Sequence, residues 1–239
     1  MMKKKAALCF RGAMSKTSGQ FTHPGALYHN PSPYVNYMYA YNSIMRHIVK
    51  ANPDYDVDIF IHCWNPDLEK ELVALYKPTR YIFEDNRVYN EEITSLCKGP
   101  PDFGGISHAL SLKKSLELQE KYSAENNITY DIVILFRPDV LIWKDMLFPK
   151  YDLTNFYIDG CPNYNGEMYY VMSPQHALLF KDLYLSLKAG NRYVTHAWTK
   201  TYLLNYCKIP IRMDDIIPGT HIEVLRKVNG YSALLKDYK

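Results

Sequence analysis

Short apolar runs that end at polar turns recur along the first 145 residues of the chain. Four of them predict β-strands, over residues 6–10, 58–64, 81–84 and 131–136. The run from Asp131 to Phe136 is apolar without alternation, which is typical of a central strand covered on both faces. Cys9 and Cys63 fall inside two of these runs and are therefore expected to be buried.

Segments with apolar residues at three- and four-residue spacing separate these strands. They predict helices over about 34–48, from Pro66 to about Tyr76, and from about Ile106 to Tyr122. The alternation of strands and helices predicts an α/β fold, with a mostly parallel, Rossmann-like sheet that carries helices on both faces.

Two stretches rich in proline and glycine, residues 13–33 and 85–105, are predicted to be irregular. The part from Met14 to Pro33 is expected either to close over a ligand as a lid or to form an ordered surface loop. The second half predicts strands over 156–159 and 168–172, and helices over about 174–188 and 192–206. No repeat or linker divides the chain, which predicts a single domain over residues 1–239.

The composition narrows the class of protein. Hydrophobic residues make up 47% and charged residues 22% of the chain, which excludes disorder, and the net charge of +3 is too small to indicate a nucleic-acid partner. The five cysteines are widely spaced without a metal-binding pattern, so we expect free thiols in a reducing compartment. No apolar run approaches the roughly 20 residues that span a bilayer. We therefore expect a cytoplasmic protein without a transmembrane segment, whose membrane contacts, if it makes them, are peripheral.

Polar residues with useful chemistry follow the predicted strands. They are Arg11 and Gly12; His62, Trp64 and Asn65; Glu84 and Asp85; and Arg137, Pro138 and Asp139. Ligands of open α/β sheets bind outside the carboxyl ends of the strands, and this mixture of groups suits a nucleoside diphosphate with a metal ion. Asp139 is the candidate metal ligand. In the alternative interpretation, Arg137 and Asp139 pair with each other in a surface turn.

Three segments resemble a group of bacterial and large-virus glycosyltransferases. They are AALCFRG, DVDIFIHCWNPDLEKELVALYKPTRYIFE and YDIVILFRPDVLI, and the resemblance covers about residues 5–145. It implies the GT-A fold, with an RxD motif ending at Asp139 where the wider class has DxD, and Mn²⁺ or Mg²⁺ as the cofactor.

The resemblance also implies roles for individual residues. The residues expected to contact the nucleotide sugar are Arg11, Gly12, Trp64, Glu84, His108, Lys113 and Arg137. The part from about 146 to 239 would be the acceptor side, and the part from about 1 to 145 the donor side. Asp159 and Glu167 are the candidate catalytic carboxylates. In an inverting transferase one of them would act as the general base, and in a retaining transferase it would instead steady the donor. His221 would complete the metal shell.

These observations predict a glycosyltransferase that moves a sugar from a nucleoside diphosphate sugar, most often a UDP-sugar in this class, to a hydroxyl of a glycan acceptor. A sugar nucleotidyltransferase shares the sheet type but normally has a glycine-rich loop after the first strand, where this chain has only Gly12 and Gly19 between residues 11 and 20. A noncatalytic carbohydrate-binding protein could use the 22 tyrosines, but it would not need carboxylates at the edge of a parallel sheet.

Overall fold

A computed structural model describes residues 3–14, 37–97, 102–160, 167–191 and 198–225. Nearly all of the segment from Met14 to Pro33, for which a lid was one prediction, lies outside the described residues. Within them, no helix is both long enough and apolar enough to cross a membrane.

The strands of the described residues form one large and one small sheet. They are β1 (Lys4–Phe10), β2 (Tyr55–Cys63), β3 (Arg80–Phe83), β4 (Ile132–Phe136), β5 (Val140–Ile142), β6 (Phe156–Gly160), β7 (Tyr169–Met172), β8 (Ile211–Pro218) and β9 (Ile222–Val224). Seven of them make the large sheet, in the order β3-β2-β1-β4-β7-β6-β8. β5 and β9 pair antiparallel as a separate ribbon.

The large sheet is mixed but mostly parallel, as predicted. β1 lies between β2 and β4 and runs parallel to both, while β7 runs antiparallel to its neighbours β4 and β6. The chain proceeds outward from β1 to β2 and β3 and then returns past β1 to β4. In open α/β sheets such a reversal marks the crevice in which ligands bind, and here it falls between the carboxyl ends of β1 and β4.

The helices lie between and after the strands. They are α1 (Tyr37–Ile44), α2 (Glu69–Tyr76), α3 (Asn90–Leu96), α4 (Asp102–Asn126), α5 (Pro174–Phe180), α6 (Leu183–Lys188) and α7 (Trp198–Thr201). The first and last continue as π-helical turns over Met45–Val49 and Tyr202–Cys207, and a 3₁₀ turn over Pro66–Leu68 precedes α2.

The two faces of the sheet bury separate apolar layers. Alternate residues of β1 point to opposite faces, so Leu8 packs in the layer with α1 and α2 while Cys9 packs in the layer with α4, α5 and α6. Both Cys9 and Cys63 are free and buried, and burial raises the pKa of each thiol. The predicted α/β fold with helices on both faces is confirmed.

Some predicted elements were wrong. Residues 85–105 are not irregular throughout, because Asp85 caps a 3₁₀ turn by accepting a hydrogen bond from the backbone N–H of Arg87, and α3 follows. The helix predicted over 174–188 is two helices, interrupted at Lys181 and Asp182. β5, β8 and β9 were not predicted.

A buried carboxylate ties β8 to β7 and to the turn that precedes β6. Asp214 accepts hydrogen bonds at 2.6 Å from the hydroxyls of both Tyr151 and Tyr169. Beside it β6 and β8 approach so closely that a Cβ atom on Gly160 would lie 2.5 Å from the Asp214 carbonyl oxygen. A glycine is therefore required where β6 ends at the carboxyl edge of the sheet.

Candidate anion-binding site at the carboxyl edge

Two arginines flank the crevice between β1 and β4. Arg11 follows β1 directly, and its backbone N–H donates to the carbonyl oxygen of Phe136 at 3.1 Å. Arg137 follows β4, and its backbone N–H donates to the carbonyl oxygen of Met168 at 3.1 Å. The sheet thus brings together two cations that are 126 positions apart in sequence.

Arg11 is almost completely buried, with 3% of its surface exposed. One terminal nitrogen of its guanidinium donates to the backbone oxygen of Glu167, and the guanidinium carbon lies 5.8 Å from the centre of the Tyr170 ring. Its Nε atom is buried without a hydrogen-bond partner among the described residues. Burial lowers the pKa of Arg11 to about 10, and the positive charge of Arg137 acts in the same direction. The side chain is therefore still charged at neutral pH.

Arg137 and Asp139 form a two-pronged ion pair. Arg137 Nε donates to Asp139 Oδ1 at 2.9 Å, and the terminal nitrogen donates to Oδ2 at 2.8 Å. The Asp139 side chain is fully buried and that of Arg137 is 20% exposed. The two residues do pair, as the alternative interpretation of the sequence held, but the carboxylate is in the interior and not in a surface turn.

Asp139 and His221, the two expected metal ligands, are not brought together. They lie at opposite ends of the β5–β9 ribbon, where Leu225 N donates to Asp139 O at 2.9 Å and Trp143 N donates to His221 O at 3.0 Å. Four residues of strand separate these ends, which corresponds to about 13 Å. Within the described ranges, no cluster of three or more His, Cys, Asp or Glu side chains could hold a metal ion. The described residues do not fit the expected Mn²⁺ or Mg²⁺ site, and the cofactor stays a prediction.

The two candidate catalytic carboxylates are joined through the segment that begins β7. Asp159, on β6, is fully buried and its Oδ2 accepts a hydrogen bond from Met168 N at 2.7 Å. Glu167 precedes β7, is partly exposed and accepts from Arg11 through its backbone oxygen. Glu167 therefore adjoins Arg11, whereas Asp159 lies one strand farther from β4, on β6.

His108 completes this part of the site. It lies on α4, and its Nε2 atom is 3.4 Å from the hydroxyl of Tyr170. Burial lowers the pKa of His108 well below its ordinary value, and the charges of Arg11 and Arg137 lower it further. A neutral imidazole thus stands beside the two guanidinium groups. Tyr170, whose ring contacts both His108 and Arg11, gave no signal in the sequence.

A second set of hydrogen bonds holds the Gly12 turn. Gly12, at φ 98°, donates through its N–H to Ser111 Oγ at 2.7 Å, and Ser111 Oγ bonds His62 Nδ1 at 2.7 Å. Nε2 of His62 bonds Glu84 Oε1 at 2.9 Å. Because Gly12 N–H can only donate and the carboxylate can only accept, the Ser111 hydroxyl donates to Nδ1 and the imidazole carries its proton on Nε2. Burial lowers the pKa of His62, which keeps the ring neutral.

Glu84 is saturated by internal partners. Besides His62, it accepts from Tyr89 at 2.9 Å and pairs with Lys114 at 2.8 Å. Burial raises its pKa, but the hydrogen bonds from these three side chains outweigh burial and lower the pKa to about 2. To make the predicted contact with a ribose, Glu84 would have to give up hydrogen bonds to these side chains.

The lysine that joins this network is Lys114, whereas the contact of Lys113 with a nucleotide sugar stays a prediction. Lys113 instead pairs with Glu117 one helical turn away at 2.5 Å. Ser111 and Lys114 are three residues apart and share one face of α4, and this spacing is the signal that could have identified Lys114.

Trp64 supports the Gly12 turn from below. It is 1% exposed, its backbone N–H donates to Gly12 O at 3.0 Å, and its ring meets His62 edge-on at 4.4 Å between centroids. Because the ring is buried against other side chains, it does not present a free face on which a nucleotide base could stack.

Comparisons with known proteins add no family to this description. No protein-family model matches the chain, and the search of curated proteins also returned no match.

Proposed function

We propose that the protein is a glycosyltransferase that moves a sugar from a nucleoside diphosphate sugar to a hydroxyl of a glycan acceptor. The observation that carries the proposal is the pair of arginines, Arg11 and Arg137, on either side of the crevice where the strand order reverses. A departing diphosphate needs positive charge and hydrogen-bond donors that are already in place before the bond breaks, and guanidinium groups supply both.

The carboxylates beside the crevice support the transfer step. Glu167 is partly exposed and adjoins Arg11, so it is the better candidate to take the proton from the acceptor hydroxyl. Asp159 is fully buried and bonded to a backbone N–H, so its role is to position the segment that carries Glu167. The sugar donor would lie over Gly12, where no described residue other than its chain neighbours comes within 4 Å of the place that a Cβ atom would take.

The expected Mn²⁺ or Mg²⁺ would neutralise charge on the diphosphate. Since the described residues do not offer a ligand set for it, no step of this proposal depends on it.

The test is product analysis with UDP- and GDP-sugars, with Mn²⁺ and with EDTA. A glycosyltransferase releases nucleoside diphosphate slowly by hydrolysis and faster with a glycan acceptor, a nucleotidyltransferase makes pyrophosphate, and a noncatalytic binding protein makes neither. Glu167→Gln should lower turnover by about 10²–10⁴-fold, the usual contribution of a general base. The control is Glu91→Gln, an exposed glutamate in the first turn of α3. Wild-type turnover in the Glu167 variant would refute its role, and absence of any nucleoside diphosphate would refute the function.

A further inference from the structure

The charge on Arg11 is not balanced within the described structure. The contacts of its guanidinium are a backbone oxygen and the face of an aromatic ring, neither of which carries a formal charge, and its Nε is left without a partner. A buried charge is ordinarily paired, because removing it from water is costly. Arg11 therefore differs from Arg137, whose charge Asp139 neutralises through two hydrogen bonds.

The surroundings of Arg11 favour an anion. Arg137 stands on the other side of the crevice, and the positive charges of both arginines reach His108. Glu167 and Asp139 also act on Arg11 electrostatically, but their effect on its pKa is smaller than that of burial, which is the largest, and than that of Arg137. The position is the switch point of the sheet, where an incoming ligand meets the ends of β1 and β4.

At this edge, the residues that the structure describes do not form a site for a divalent cation that could hold phosphate. Both oxygens of Asp139 are engaged by Arg137, and His221 lies at the far end of the β5–β9 ribbon. In this arrangement Asp139 orients Arg137, and it is not available as an open ligand for a hard cation.

We infer that Arg11 and Arg137 bind the diphosphate group of the ligand directly, in place of a divalent cation. Arg11 supplies the unbalanced charge and a free Nε–H donor. Arg137, which Asp139 holds in place, contacts the diphosphate from the other side of the crevice. The inference rests on the proposed function only for the identity of the ligand as a nucleoside diphosphate, since any compact diphosphate meets the same groups.

The test uses inorganic pyrophosphate as the probe and the full chain as the protein. Calorimetric titration is run at low ionic strength, because salt weakens such contacts, once with EDTA and once with Mn²⁺. We expect binding with EDTA, and Arg11→Gln should weaken it roughly 10- to 100-fold, the effect of losing hydrogen bonds to a charged group. The matched control is Arg80→Gln, because Arg80 begins β3 at the opposite edge of the sheet and pairs there with Glu125.

A thermal measurement separates this role from a structural one. Because Arg11 is a buried and unbalanced charge, Arg11→Gln should melt no lower than wild type without pyrophosphate, and it should lose the stabilisation that pyrophosphate gives to wild type. Arg11→Lys keeps the charge but not the planar fork and should weaken binding by a smaller factor, which provides a second variant if the glutamine variant does not fold.

Three outcomes overturn the inference. They are pyrophosphate binding that requires Mn²⁺, binding with EDTA that neither Arg11 variant weakens, and no binding under either condition. Each differs from failure of the proposed function, which is judged by the release of nucleoside diphosphate. If the protein binds pyrophosphate with EDTA but cleaves no nucleotide sugar, the inferred anion site is supported and the proposed transferase activity is refuted.

Discussion

Ser111→Ala removes the hydroxyl that joins the Gly12 turn to His62. In the folded protein this oxygen accepts from Gly12 N at 2.7 Å and bonds His62 Nδ1 at 2.7 Å. Ser111 and His62 are both fully buried, so bulk water does not reach the vacated position. The substitution therefore leaves one donor and one acceptor without partners.

The expected loss follows from these two groups. A buried polar group that loses its partner costs about 1–3 kcal/mol. Gly12 is partly exposed, so its N–H belongs at the low end of this range and His62 Nδ1 in the middle, which together give about 3 kcal/mol. For a chain of this size, each kcal/mol lowers Tm by roughly 2–4 °C. Ser111→Ala should therefore melt about 6–12 °C below wild type.

Differential scanning calorimetry of the two proteins measures this shift. The control is Ser95→Ala, an exposed serine on α3 whose hydroxyl donates only to the backbone oxygen of Glu92 at 2.7 Å. This variant should stay within about 0.5 kcal/mol of wild type. A Ser111→Ala protein that melts within about 2 °C of wild type would refute the reasoning, because it would mean that the hydroxyl is not the link between Gly12 and His62.

Four further predictions concern other residues. Gly160→Ala should lose roughly 1–3 kcal/mol of unfolding free energy, because the new Cβ meets a backbone oxygen of β8. Gly104→Ala should instead raise the free energy of unfolding by about 0.5–1 kcal/mol, because, apart from the neighbouring backbone of α4, no described residue lies within 4 Å of the new Cβ atom. Urea denaturation measures both changes. Asp139→Asn should lower the free energy of unfolding by about 3 kcal/mol, because it leaves the partly buried Arg137 without its anion. An unchanged Tm would contradict the ion pair and favour a role of Asp139 as a metal ligand. Because the folded-state pKa of Glu84 is lowered from 4.5 to about 2, its stabilising contribution is present above pH 4.5 and is lost as the pH falls towards 2. A series of Tm measurements over that window should show a smaller decline for Glu84→Gln than for wild type.

The strands that were predicted correctly are those with the strongest local signal. β1, β2 and β4 are apolar runs with clear ends, and their parallel pairing places Arg11 and Arg137 at one edge. β8 was missed because two adjacent aspartates interrupt it. One of them, Asp214, is buried and accepts hydrogen bonds from tyrosines of distant segments as well as from nearby backbone N–H groups. β5 was missed because it is three residues long.

The partners within the site depend on geometry that the sequence pattern does not carry. The rotation of α4 about its axis decides that Lys114 meets Glu84 while Lys113 meets Glu117. The backbone turn after β4 decides that both oxygens of Asp139 face Arg137. The type of a residue and its position along a strand predicted which groups lie at the carboxyl edge. The partner of each group could not be predicted in this way, because several of the hydrogen bonds join residues that are 22 to 156 positions apart in sequence.

The central place of β1 also determines the order in which the chain can assemble. β1 is made before both of its neighbours, and the one farther along the chain, β4, ends only at Phe136. At translation speeds of about 5–20 residues per second, roughly 6–25 s pass between Phe10 and Phe136. During that interval the edge of β1 that β4 later covers has no strand to pair with, and unpaired apolar strand edges are prone to aggregate. The crevice between β1 and β4 requires both strands, so it forms only after β4 has been synthesised.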